Sequence, residues 1–224
     1  MTELGCAIWL YGSHARGDSD PLSDIDVLMV GDANAEPGDF DSNCLDTYTN
    51  FSVSRYTWDE LRGMAAYGSL FLQHLRLEGR RLHEDRACSG QLHTLLEGMP
   101  SYRLAARDIA GFRVALCDVE ASLGFSDTVV YELGVLGTVI RHSSILGCWL
   151  LGVPTFSRTL PVQRLVSELG MPYVISEEFA ALYRYRLYLD GRSPKPDDTM
   201  DPNAWLLRAR TVVDAVEHIY DRPT

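Results

Sequence analysis

The amino-acid sequence predicts an α+β protein, with a small mixed sheet and its helices in residues 1–98 and an all-helical bundle in residues 99–224. Two observations predict this division. Short apolar runs typical of strands are confined to the first part, and long segments with apolar residues every three or four positions fill the second. With 46% hydrophobic residues among 224, the chain has enough apolar side chains to form the core of two small domains.

Three strands and one long helix are predicted in the first part. Residues 6–11 (CAIWLY) and 24–30 (DIDVLMV) are short apolar runs that each end at a glycine. Residues 48–57 (YTNFSVSRYT) alternate in the manner of a half-buried strand. We expect a helix from Trp58 to Gly79, because apolar residues recur there at three- and four-residue steps.

The second part contains five segments with helical periodicity. They are residues 102–123, 128–151, 161–169, 177–189 and 203–220. The stretch from residue 129 to 153 is long and mostly apolar, but Glu132, Arg141 and His142 interrupt it. A charged group at bilayer depth costs about 2.5–3.5 kcal/mol, so we expect a buried core helix and no membrane association.

The charge of the chain bears on its partners. The formal net charge is -11 and the sequence pI is about 4.9, so the surface as a whole repels nucleic acid and favours a cationic or neutral partner. The N-terminal segment lacks the basic start and the small-residue cleavage site of a secretory signal. Five scattered cysteines without a C-x-x-C pair are typical of a reducing compartment. We expect a cytoplasmic protein.

The segment from residue 12 to 26, GSHARGDSDPLSDID, lies between the first two predicted strands and carries the chemistry. Asp24 and Asp26 are two residues apart at the start of a strand, so both carboxylates point to one face. Paired carboxylates suit Mg²⁺, which completes its coordination with water and substrate phosphate oxygens. The spacing therefore predicts a magnesium platform and a phosphate-bearing partner.

Gly12 and Ser13 are candidates for holding that phosphate. A glycine at a strand-to-helix turn lets the backbone approach a triphosphate, and exposed N–H groups with a hydroxyl bind its oxygens. Arg16 follows one turn later as a candidate phosphate-binding cation. It fits an ion pair with Asp18 or Asp20 equally well.

This segment resembles the signature of the DNA polymerase beta nucleotidyltransferase superfamily, in which a Gly-Ser turn and a short helix precede an Asp-x-Asp strand. The resemblance covers about the first eighty residues, and the helical part is similar to the C-terminal bundles of minimal and aminoglycoside-type nucleotidyltransferases. It implies that Gly12 and Ser13 bind the β and γ phosphates of a nucleoside triphosphate. It also implies that Asp24 and Asp26 bind two Mg²⁺ ions, with Arg16 as a further nucleotide-binding residue.

The family usually has a third carboxylate on the next strand, where it helps to activate the acceptor hydroxyl. Aligning the following Y-T-W-D-E-L segment with the family's strand-to-helix junction places Ser52 at that position. Asp46 is the nearest acidic candidate for a catalytic role, six residues earlier and on the same strand face if the strand extends that far. The helical part offers three further acids, Asp118, Asp127 and Glu132. Without a third acid, the protein would bind nucleotide and turn over slowly.

The sequence thus predicts transfer of a nucleoside monophosphate from a triphosphate to a hydroxyl acceptor, with release of pyrophosphate. The acceptor stays open between a small molecule such as an aminoglycoside, a partner protein, and a tRNA end, which the acidic charge disfavours. A homodimer or a partner protein that completes the site also stays open. The rival from another class is a non-catalytic nucleotide-binding or antitoxin-like module. The spacing of Arg86 and His93 matches helical ribonucleases loosely and falls outside the long predicted helices.

Overall fold

The computed structural model of the protein describes residues 5–31, 51–125, 129–196 and 200–222. The chain divides into two compact units, Met1–Arg103 and Leu104–Thr224. A four-stranded sheet with helices forms the first and helices form the second, which confirms the predicted α+β class. The limits of 1–98 and 99–224 for the two domains stay a prediction.

In residues 5–31 and 51–103, the described part of the first unit, there are four strands and four helices. In chain order they are β1 Ala7–Tyr11, α1 Gly12–Arg16, β2 Ile25–Gly31, β3 Phe51–Thr57, α2 Trp58–Ala66, α3 Leu70–Glu78, β4 Arg80–Glu84 and α4 Gln91–Glu97. The sheet order is β3-β2-β1-β4, in which β1 runs antiparallel to both neighbours and β2 runs parallel to β3. The sheet is therefore mixed, as predicted.

The two faces of the sheet have separate apolar clusters, because successive side chains of a strand point to opposite faces. Trp9, Leu28 and Val30 belong to the larger cluster, which also contains buried residues of α2, α3 and α4. The other cluster takes the alternate positions of the same strands, among them Ile8 and Val27. Buried residues of α2, α3 and α4 belong to the larger cluster and not to the other one. The face of the sheet that carries the larger cluster is therefore the helix-covered face.

The single helix expected from Trp58 to Gly79 is wrong, because the structure has two helices separated at Gly68. Gly68 has a φ of +69°, and a Cβ at this position would lie 2.3 Å from the backbone oxygen of Pro100. Only glycine fits so close an approach in the left-handed region. The predicted start is confirmed: Thr57 and Glu60 form a capping box, in which the amide of Glu60 donates to the Thr57 hydroxyl.

The sequence did not predict β4 or α4. The strand β4 reads RRLHE and has no apolar alternation, because it is an edge strand with one neighbour and mostly exposed side chains. Arg86 lies in a 3₁₀ turn at Arg86–Cys88 and His93 lies in α4, so the two are not on one helix. This arrangement removes the basis of the ribonuclease interpretation.

The regular elements that the structure describes in the second unit are helices. They are α5 Ala105–Leu123, α6 Val130–Leu150, α7 Leu160–Leu169, α8 Val174–Leu189 and α9 Pro202–Tyr220. The central helix α6 contacts all four others. Within the described residues, α6 is the helix long and apolar enough to cross a membrane, but 67% of its most apolar window is buried inside the protein. That burial is typical of a core helix.

Close packing around α6 gives a first testable prediction. A Cβ on Gly147 would lie 2.8 Å from Leu165 Cδ1 and 3.0 Å from Val216 Cγ2, and both neighbours are fully buried. Overpacking of this kind costs about 1–3 kcal/mol, so we expect Gly147→Val to lower the free energy of unfolding by about 2 kcal/mol in urea titrations. Gly111→Val on α5 is the matched control, because nothing lies within 4 Å of a Cβ there. Equal losses in the two variants would contradict close packing at Gly147.

Candidate active site

The candidate phosphate loop begins where β1 ends. Gly12 follows Tyr11 directly and has a φ of +73°, a left-handed conformation that favours glycine. The short helix α1 ends at Gly17, whose φ is +82°. The amides of Gly17 and Asp18 both donate to the carbonyl oxygen of Ser13, at 2.9 and 3.1 Å. Ser13 is therefore held in a tight turn that directly follows the strand.

A second turn, at residues 20–23, directly precedes Asp24 and Asp26. The Asp20 carboxylate accepts hydrogen bonds from the Leu22 amide at 3.0 Å and from the Ser23 hydroxyl at 2.9 Å. The chain then enters β2, with Asp24 one residue before the strand and Asp26 as its second residue. Alternation along the strand places both aspartates on the helix-covered face. Both side chains are half-buried.

The loop and the carboxylates meet at Gly12. A Cβ built on Gly12 would overlap the Oδ2 atom of Asp26, so the Gly12 backbone lies directly against this carboxylate. The antiparallel register explains the approach, because Tyr11 pairs with Asp26 and Gly12 follows Tyr11. A phosphate group bound at Gly12 and Ser13 would therefore lie beside the Asp26 carboxylate. Carboxylate and phosphate oxygens are the kinds of ligand that Mg²⁺ takes in proteins, so Asp24 and Asp26 would be the residues to hold such an ion.

Tyr11 is a further polar group at this end of the sheet that the sequence interpretation missed. Its hydroxyl lies 3.1 Å from the Ser54 hydroxyl on β3. Burial raises the pKa of the Tyr11 phenol, and the negative charges of Asp26 and Asp24 raise the pKa further. Both carboxylates thus raise the pKa of the same phenol, which agrees with the placement of Asp24 and Asp26 on one face of the sheet. The position of Tyr11 directly before Gly12 was the available signal.

The position beside Asp26 on β3 is occupied by Ser52. The parallel register pairs Asp26 with Ser52, so a hydroxyl stands next to the second carboxylate. Asp46 and Asp127, two candidates for the third acid, lie outside the described residues. Among residues 5–31, 51–125, 129–196 and 200–222, no group of three histidine, cysteine, aspartate or glutamate side chains could hold a metal ion.

The two described acids of the helical part belong to the second unit. Asp118 is exposed on α5. Glu132 is 3% exposed in the first turn of α6, and its Oε1 atom accepts a hydrogen bond from the Ser122 hydroxyl at 2.5 Å. Its Oε2 atom has no hydrogen-bond partner within the part of the chain that the structure describes. Glu132 is thus a buried acid held by a neighbouring helix.

Arg16 points toward carboxylates. Its Nη1 atom donates to Glu78 Oε2 at 2.5 Å, and its Nε atom donates to both carboxylate oxygens of Asp18 at 3.1 Å. The ion pair with Asp18 is one of the two interpretations that the sequence left open. The pair with Glu78, on α3 and 62 positions away, had no signal in the sequence.

A glycine-serine turn thus lies against the Asp26 carboxylate of the neighbouring strand, within an α+β unit. Residues 3–62 of the chain match the family described as nucleotidyltransferase domain. The match includes β1, α1, β2, β3 and the start of α2, and it confirms the resemblance to the polymerase beta superfamily. No curated protein matches the chain. Over residues 3–62, the first unit is therefore similar to a nucleotidyltransferase domain.

Proposed function

We propose that the protein is a Mg²⁺-dependent nucleotidyltransferase that moves a nucleoside monophosphate from a nucleoside triphosphate to a hydroxyl acceptor. The observation that carries the proposal is the contact between the Gly12 backbone and the Asp26 carboxylate, within the segment that matches the family. This proximity supports the proposal, because Mg²⁺ in proteins takes ligands both from one or two carboxylates and from substrate phosphates.

The residues of the chain have distinct roles in this proposal. Gly12 and Ser13 bind the β and γ phosphates through backbone amides and the Ser13 hydroxyl. Asp24 and Asp26 would hold two Mg²⁺ ions, which would supply neutralisation of the negative charge that develops on the phosphate oxygens. The acceptor hydroxyl attacks the α phosphorus in line, and pyrophosphate leaves. The protein contributes position and electrostatic stabilisation more than covalent chemistry.

The acceptor is proposed from charge. A net charge of -11 concentrates cations near the surface and repels polyanions, so a polycationic small molecule such as an aminoglycoside is favoured over a tRNA end. A hydroxyl side chain of a partner protein is the second acceptor consistent with that charge. We propose that the protein acts in the cytoplasm.

Ser52 favours a second candidate function. Because a hydroxyl stands beside Asp26 where the family usually has a carboxylate, this site would bind a nucleotide but activate an acceptor poorly. The protein would then be a non-catalytic or weakly active nucleotide-binding module. Asp46, which lies outside the described residues, remains the proposed third acid for the catalytic alternative.

One experiment separates the two functions. The wild type and the double variant Asp24→Asn/Asp26→Asn are incubated with Mg²⁺, each α-labelled nucleoside triphosphate, and pools of aminoglycosides, cell-extract proteins or tRNA. Label transferred to one class of acceptor by the wild type alone supports the transferase and identifies its substrate. Triphosphate binding without transfer to any acceptor supports the binding module. Neither binding nor transfer would refute both.

The proposed role of Ser13 is tested by Ser13→Ala. A hydrogen bond to a charged group contributes about 1.5–3 kcal/mol, so we expect triphosphate affinity to fall roughly ten- to hundred-fold. Titration calorimetry with a non-hydrolysable triphosphate and Mg²⁺ measures this loss. Ser19→Ala is the control, because Ser19 is an exposed serine a few residues further along the chain. An unchanged affinity in Ser13→Ala would remove the Ser13 hydroxyl from the phosphate site.

A further inference from the structure

Three side chains of α1 and α3 form a half-buried ionic cluster beside the candidate phosphate loop. Glu78 Oε2 accepts hydrogen bonds from Arg16 Nη1 at 2.5 Å and from His74 Nε2 at 2.8 Å. The side chains of Arg16, Glu78 and His74 are 19%, 15% and 14% exposed, so water screens these contacts weakly. This cluster joins α1, which carries Ser13, to the longer helix α3.

The cluster is also tied to the base of the loop. The His74 ring lies 5.7 Å from the Tyr11 ring in an edge-to-face arrangement, and Phe71 makes a similar contact at 5.5 Å. Burial raises the pKa of the Glu78 carboxyl, but the hydrogen bonds and charges of His74 and Arg16 hold the pKa below its ordinary value. Glu78 is therefore ionised at neutral pH and pairs with the Arg16 guanidinium.

The ion pairs of Arg16 argue against direct phosphate binding by this residue. The Arg16 guanidinium already donates hydrogen bonds to two carboxylates, those of Glu78 and Asp18. A triphosphate approaching this guanidinium would have to displace a carboxylate and would meet like charge. The contacts that Arg16 makes instead hold the C-terminal end of α1 in place.

We propose that Arg16 is a positioning residue, which acts through Glu78 to fix α1 and the Ser13 turn against α3 and does not itself bind the phosphates. The effect that we expect this positioning role to have on triphosphate binding rests on the proposed function. The helix α1 has only five residues and cannot hold its conformation by its own hydrogen bonds. The ion pair must therefore hold it in place, and for this Glu78 is needed as much as Arg16.

The two roles of Arg16 predict opposite effects for Glu78→Gln. If Arg16 positions the turn, Glu78→Gln and Arg16→Gln each lower triphosphate affinity by roughly ten-fold, and the double variant loses no more than the worse single variant. If Arg16 binds phosphate directly, Glu78→Gln removes a competing negative charge and raises the affinity. Titration calorimetry with Mg²⁺ and a non-hydrolysable triphosphate distinguishes them. Tighter or unchanged binding by Glu78→Gln would overturn the proposal.

A second measurement needs no nucleotide and so separates the proposal from the proposed function. The Gly17 and Asp18 amides donate to the Ser13 carbonyl, so their hydrogen exchange reports the integrity of α1. We expect exchange at both amides to be about ten-fold faster in Glu78→Gln and Arg16→Gln, with α2 amides unchanged. Unchanged exchange at Gly17 and Asp18 overturns the proposal, even if the wild type binds no triphosphate.

The control variant is Arg62→Gln. Arg62 also forms an ion pair with a carboxylate, Asp59, but on the exposed surface of α2, where its side chain is 46% exposed. Removing an exposed pair of this kind changes stability little. We therefore expect wild-type affinity and wild-type exchange at Gly17 in this variant. Glu78→Asp keeps the charge one methylene further from Arg16, and we expect it to recover part of the affinity lost in Glu78→Gln.

Discussion

Replacement of Asp26 by asparagine is expected to reduce nucleotidyl transfer by about a thousand-fold, because the variant loses one of the two carboxylates proposed to hold the metal ions. Asparagine has the same shape, so the change removes charge and leaves packing in place. Asp26 lies against the Gly12 backbone and shares its strand face with Asp24, which places its charge where phosphate and metal would meet. Transfer of α-labelled nucleotide to the identified acceptor measures the loss.

The control for Asp26→Asn is Asp59→Asn. The Asp59 side chain is 92% exposed at the start of α2, so its replacement changes the net charge by the same amount without touching the site. We expect wild-type transfer in this control and wild-type unfolding temperatures in both variants. If Asp26→Asn kept more than a tenth of wild-type transfer, the Asp24 and Asp26 platform would not be the metal site.

Gly12→Ala is expected to have the second-largest effect, on stability and transfer together. A non-glycine residue at a φ of +73° costs about 1 kcal/mol. Its Cβ would also overlap Asp26 Oδ2, and displacing a packed group costs a further 1–3 kcal/mol or so. Displacement of the carboxylate by about 1 Å would reduce transfer by about a hundred-fold.

Gly17→Ala separates the cost of the backbone conformation from the cost of the contact with Asp26. Gly17 also has a positive φ, +82°, but nothing lies within 4 Å of a Cβ placed there. We therefore expect only the conformational cost of about 1 kcal/mol and near-normal transfer in this variant. Urea unfolding and the labelled transfer assay measure both effects. Equal losses in Gly12→Ala and Gly17→Ala would show that backbone conformation, and not the contact with Asp26, governs this turn.

Much of the fold could be predicted because its signals are local. The strands β1 and β2 and the five long helices have apolar patterns that persist over several residues, and the structure confirms them. The strand β4 has no such pattern, since its first three side chains are all exposed. The break at Gly68 depends on the backbone of Pro100, which is distant along the chain, so helical periodicity alone could not reveal it.

The candidate site divides in the same way. Gly12, Ser13, Asp24 and Asp26 lie within fifteen consecutive residues, and two adjacent antiparallel strands bring them together. Their proximity could therefore be predicted from residue types and spacing, and their chemical roles stay a prediction. Ser54 lies 43 positions from Tyr11, and Glu78 lies 62 positions from Arg16. Contacts over such separations depend on how the sheet and α3 pack, and no short motif reports them.

The sequence by itself determined the α+β class, the order of the long helices and the Gly-Ser and Asp-x-Asp pair, because these depend on periodicity and on residues close together in the chain. Only the tertiary structure decided that the Gly12 backbone touches Asp26 and that Arg16 is held by Glu78. Strand register and helix packing determine these contacts, and both follow from burying one shared apolar core.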